Sequence, residues 1–147
     1  MKKIISKPHL FFFALIPIIL VVGYLIKETA IELNFLHTPI IISYNTLSYF
    51  FAVFFGLIGL NYFSLYWAQK KTIKWMTGVH IILQILALLL FFTKDNWNWL
   101  GKNDDPSRLN LAVDYANLIL ILSIIIFIIS AFIHLINFFV SLISKSK

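Results

Sequence analysis

Four long apolar runs, at roughly 9–26, 39–68, 73–93 and 112–143, divide the chain, and short polar stretches separate them. Each run is long enough to carry a helix across a hydrocarbon core of about 30 Å. The pattern predicts an all-α integral membrane protein, a four-helix antiparallel bundle formed by one domain over 1–147, with an outer loop at 94–111. Pro8 suits a first helical turn, where its missing N–H would be unsatisfied anyway. Pro17 falls inside the first run and predicts a kink. The connection from Lys27 to Thr38 is short, so the helices on either side are antiparallel neighbours. Starting at Pro39, the second helix would span about 30 residues, or about 45 Å, and must tilt or project from the membrane. In the outer loop, Asn103-Asp104-Asp105-Pro106 reads as turn chemistry, with Asp105 the N-cap and Pro106 the first helical residue.

Polar positions inside the runs are not scattered. The last helix carries Ala116, Ser123, Ser130, His134, Asn137 and Ser141 on one narrow face at about 100° per residue. The third repeats this with Thr77, His80, Gln84 and Ala87, and the second with Asn45, Ser48, Ala52, Gly56 and Gly59. Small residues let helix backbones approach in lipid, and polar side chains there find partners across the helix interface. The stripes therefore predict packing seams, with Asn45 through Gly59 a helix-packing face.

Charge sets the orientation. Lys2, Lys3, Lys7, Lys70, Lys71, Lys74, Lys145 and Lys147 fall on one side of the predicted membrane, and Lys27, Lys94, Lys102 and Arg108 on the other. Eight cations against four is the positive-inside bias, which places both termini in the cytoplasm (N-in/C-in) of a cell inner, or plasma, membrane. Trp67 and Trp75 border the inner connection and Trp97 and Trp99 the outer one, as an aromatic belt requires. Met1-Lys2-Lys3 before an apolar run imitates a signal peptide. No small-residue cleavage pattern follows, so it reads as a retained anchor.

A chain that is 61% hydrophobic and 12% charged would make a poor soluble domain, and lipid supplies the apolar surroundings instead. The net charge of +6 comes from the inner lysines, which face anionic lipid, so no nucleic-acid partner is expected. With no cysteine, disulfides, thiolate metal sites and a cysteine nucleophile are excluded. No hydrolase triad, phosphate loop or intramembrane carboxylate pair is present, so no catalytic residue and no metal site is predicted.

The intramembrane histidines are the remaining chemistry, because burying an ionisable group in hydrocarbon is unfavourable. Two facing imidazoles at His80 and His134 could ligate a haem iron. Helix rise puts His80 about 9 Å from Lys74 but His134 about 16 Å from Lys145. Gln84 matches the depth of His134 better, which predicts a hydrogen-bonded cluster of Gln84, His134 and Asn137 rather than an axial pair, with His80 joining them in one polar cluster in the inner half of the membrane. His9 and His37 lie at opposite membrane faces, where interface histidines are wetted.

Ile31-Glu32-Leu33-Asn34-Phe35-Leu36-His37-Thr38-Pro39, leading into Ile41-Ile42-Ser43-Tyr44-Asn45-Thr46 and then Ala52 and Gly56, resembles a segment of subunit I of haem-copper (cytochrome c) oxidases. There a connection L-D-I-x-x-H-D-T leads into a helix with Y-x-V-x-x-H-F-H. Trp75–Ile81 is similar to the start of the next family helix, K-I-H-F, and Asp114-Tyr115 through Phe139 to the last. The resemblance covers nearly the whole chain as the C-terminal four helices of a twelve-helix subunit. Its two haem-ligand positions fall on Tyr44 and Thr46, its H-D on Leu36 and His37, and only Thr38 and His80 carry over. The resemblance thus implies a degenerate fragment without oxygen reduction.

These readings converge on a non-catalytic membrane protein, a structural or accessory subunit or a self-associating bundle. Its partners would be the lipid bilayer and either itself or another membrane complex. No cofactor is predicted. One alternative is a small electron-transfer protein holding haem b or a quinone at His80 and His134. Another is a homo-oligomeric pore lined by a polar stripe. A transporter would want inverted repeats and broken helices that the runs lack.

Overall fold

In the computed structural model, residues 2–26, 30–35, 38–94 and 109–144 are described, with side chains for 4–26, 30–31, 41–94 and 117–144. The chain is mostly helical. In order it forms α1 (Lys2–Ser6), α2 (Pro8–Leu25), β1 (Ala30–Phe35), β2 (Thr38–Ser43), α3 (Tyr44–Trp67), α4 (Lys74–Thr93) and α5 (Leu109–Ile143). Among the described residues, four helical stretches are long and apolar enough to cross a membrane: Pro8–Leu25, Tyr44–Trp67, Lys74–Thr93 and Asn117–Ile143. The chain divides into two compact units, Met1–Lys74 with Phe138–Lys147, and Trp75–Asn137.

The first unit is built on α2 and α3. Pro8 stands at the first turn of α2, and the helix continues through Pro17. The two helices run antiparallel, and aromatic rings fill the space between them. Phe12 stacks on Tyr62 with centroids 5.7 Å apart and lies 6.2 Å from Phe55. All three rings are buried. Rings of this size dominate the apolar area a helix pair can remove from its surroundings.

Between these helices the chain departs from expectation. The second helix begins at Tyr44, not Pro39, and spans 24 residues. Residues 38–43 instead form β2, which pairs antiparallel with β1 in the register Ala30 to Ser43 through Phe35 to Thr38. The branched isoleucines at 40–42 suit a pleated strand, although Ile124–Ile126 are helical in α5, so the run permits the strand without dictating it. Ser43 then starts α3 as a cap, its Oγ accepting from Thr46 N–H at 3.2 Å. The shorter helix removes the need for an excess of length across the membrane.

At its other end α3 closes in a Schellman motif. Lys70 N–H donates to Leu65 O at 2.9 Å, Gln69 N–H donates to Tyr66 O at 3.1 Å, and Gln69 adopts φ 54°. Lys70 Nζ also donates to the carbonyl of Ser144, at the end of α5.

The second unit holds most of α4 and α5. The fourth predicted run, 112–143, begins three residues earlier as a helix, at Leu109. The turn expected at Asn103–Pro106, Trp97, Trp99 and the His37 position lie outside the described residues.

Candidate functional site

Buried polar residues of the second unit meet in a seam between α4 and α5. Thr77, His80 and Gln84 are buried on α4, and Ser123, Ser130, His134 and Asn137 on α5. The pairing is antiparallel and regular. Asn137 Nδ2 donates to Thr77 Oγ1 at 2.9 Å, the rings of His80 and His134 stack with centroids 5.0 Å apart, and Ser130 Oγ lies 3.2 Å from Gln84 Oε1. The spacing follows from helix geometry: residues three and four apart share a face, so each successive pair meets one turn further along.

His80 is held from two directions. Its Nδ1 lies 2.9 Å from Ser130 O and 2.8 Å from Ser130 Oγ. A carbonyl oxygen can only accept, so Nδ1 carries the proton and the Nε2 of the neutral ring carries the lone pair. Ser130 Oγ accepts from the same N–H. Its own proton is then free to go to the His80 carbonyl, 3.0 Å away. A single serine thus bridges the ring and the backbone of the facing helix. Ser123 satisfies its hydroxyl within its own helix, donating to Leu120 O at 2.8 Å.

The predicted cluster of His80, Gln84, His134 and Asn137 is therefore one continuous ladder, with Thr77 and Ser130 as the missing rungs. The difference in depth expected between His80 and His134 is not found, since the two rings are in contact. The error lies in the reference points. The observed register places Lys74 level with residue 140, so a count from Lys145 adds more than a turn of helix to the depth of His134. His80 and His134 do not face each other as axial ligands would. Axial imidazoles point a nitrogen edge at the iron from opposite sides, whereas these rings lie nearly parallel, at 28°, face against face.

The packing face proposed on the second helix lies in the first unit. Ser48, Ala52 and Gly59 are buried on α3, and Asn45 and Gly56 are half-buried. Their neighbours belong to α2. A Cβ built on Gly59 would meet the Phe13 ring at 2.7 Å, and one on Gly56 would sit 3.7 Å from Ile16 Cδ1. Ser48 donates to Tyr44 O at 2.8 Å and lies against Gly23, a residue outside the predicted stripes. Its signal is its own size: a glycine inside an apolar helix lets a neighbouring helix approach closely. His9 is not wetted but buried, with ring centroids 5.0 Å from Tyr66 and 5.8 Å from Phe63.

Tyr44 is the first residue of α3, and Ile41–Ser43, which the oxidase resemblance would place in the same helix, are in strand. Among the described residues no three His, Asp or Glu side chains are grouped to hold a metal ion. No protein-family model matches the chain, and no curated protein or solved structure matches it either.

Proposed function

We propose that the chain is a non-catalytic multi-pass membrane protein, a structural or accessory component that assembles with itself or with another membrane complex. Its four spanning helices would form an antiparallel bundle in the plasma membrane, with both termini cytoplasmic. The observation that carries this reading is the α4–α5 ladder. Its intramembrane polar groups meet one another: Thr77 with Asn137, His80 with Ser130, His80 with His134. Polar side chains in lipid that find partners across a helix interface are accounted for by helix association. The lysine partition supports the orientation.

The haem alternative needs the two histidine rings, stacked face against face, to separate and turn a nitrogen edge towards one iron. The reading as a degenerate oxidase fragment rests on the short words at 31–46 and 75–81 and on the likeness of 114–139 to the last family helix.

Purification of the full chain in mild detergent from haem-supplied cells, after cross-linking in native membranes, tests the function. The expected product is colourless and heavier than one chain. A Soret band that disappears in His80→Leu would establish the haem protein instead. A lone monomer with no cross-linked partner would refute a structural role. Because the chain lacks cysteine, Ser146→Cys and Ser107→Cys report sidedness directly. The first should resist, and the second accept, an impermeant thiol reagent applied to intact cells.

A further inference from the structure

The end of α3 carries a feature that helix packing does not account for. Tyr66, Trp67, Gln69 and Lys70 line a recess of about 460 Å³. The Trp67 side chain is 81% exposed and Tyr66 54%. Lys71 and Lys74 follow, both exposed, and His9 against Tyr66 brings the start of α2, with Lys7, to the same end of the helix pair.

Two details make this recess a built feature. The first is Lys70. Its ammonium donates to Ser144 O, which fixes the position of a flexible side chain. An ammonium has three donors, and among the described residues Ser144 O takes one. The second is Gln69. Its φ of 54° is the left-handed conformation that closes the Schellman motif, and glycine is the residue that adopts it without a steric penalty. A side chain there costs roughly 1–2 kcal/mol of backbone strain, and Gln69, whose side chain ends in an amide, lines the recess. Backbone held off its preferred conformation is a pointer to use.

We infer that this recess binds the phosphate headgroup of an anionic phospholipid. The Lys70 ammonium and the Gln69 amide would donate to the phosphate oxygens, Lys71 and Lys74 would supply attraction, and Trp67 and Tyr66 would lie at headgroup level. The chemistry is that of a membrane surface: aromatic rings with a polar edge concentrate at the interface, and lysines close to an anionic leaflet each favour its lipids. The inference goes beyond the structural role and holds whether or not the chain has a protein partner.

The test uses the full chain carrying Trp75→Phe, Trp97→Phe and Trp99→Phe in neutral detergent, so that Trp67 is its fluorescent tryptophan, with that emission and thermal stability as readouts. Phosphatidylglycerol and phosphatidylcholine are titrated in parallel, with glycerol 3-phosphate as the soluble arm. Phosphatidylglycerol should raise the melting temperature and shift the fluorescence, and phosphatidylcholine should do neither. Lys70→Gln should weaken the effect about fivefold, the change expected for one interfacial lysine. Gln69→Gly is the decisive variant, because it relieves the backbone while removing the amide. The apo protein should be at least as stable as the parent, and phosphatidylglycerol should stabilise it less. Equal responses to the two lipids, an unchanged response in Gln69→Gly, or saturation by glycerol 3-phosphate at the same concentration would each overturn the lipid site.

Discussion

Gly23 of α2 and Ser48 of α3 approach so closely that a Cβ built on Gly23 would overlap the serine side chain. Ser48 has no room to retreat, because it is buried and its Oγ donates to Tyr44 O within its own helix. Of Gly23, Gly56 and Gly59, Gly23 has the least space for a side chain, so the three are not equivalent.

Gly23→Ala should destabilise the chain by about 1–3 kcal/mol, the usual cost of overpacking, since the obstructing Ser48 Cβ is next to the backbone. Gly59→Ala should cost less, because the Phe13 ring in its way can turn. Gly56→Ala meets only ordinary contact with Ile16 and should be neutral or stabilising by up to about 1 kcal/mol through helix propensity. Melting temperatures in one detergent give the order. Adding Ser48→Gly to Gly23→Ala should recover part of the loss, and equal losses in all three single variants would contradict the geometry.

The hydrogen bond from Asn137 to Thr77 joins α4 and α5 in surroundings where neither group meets water. A double-mutant cycle with Thr77→Val and Asn137→Leu should give a coupling energy near 0.6 kcal/mol, and at most about 1.7 kcal/mol. Reversible unfolding in mixed micelles measures it. Zero coupling would mean that the two side chains act independently.

Much of this arrangement was legible in the chain. The apolar runs located the spanning helices to within a few residues, because length and hydropathy are properties of one segment. The stripes through Ser130 and His134 and through Thr77 and His80 named the buried faces for the same reason. Pairing was harder, since it depends on register between segments. Depth counted from Lys145 misplaced His134 because nothing in the chain says how far α5 runs on towards Ser144. The β ribbon was missed because Ile40–Ile42 is apolar in either conformation, and periodicity does not separate strand from helix over so few residues. Gln69 could not be found at all, as a glutamine in the left-handed conformation has no compositional mark.

The histidine ladder offers a test that does not rely on stability. Ser130 O can only accept, so His80 must hold its proton on Nδ1. In histidine-labelled protein the ¹⁵N spectrum should therefore assign His80 a protonated Nδ1 and an unprotonated Nε2, the less common neutral tautomer. Ser130→Ala removes the Oγ contact at 2.8 Å but leaves the carbonyl, so the tautomer should persist in that variant. His134→Leu removes the stacked neighbour and should shift the His80 signals without moving the proton. A protonated Nε2 in the parent chain would show that His80 does not donate to α5. The ladder would then lose its central rung, and with it the argument that these polar groups exist to hold two helices together.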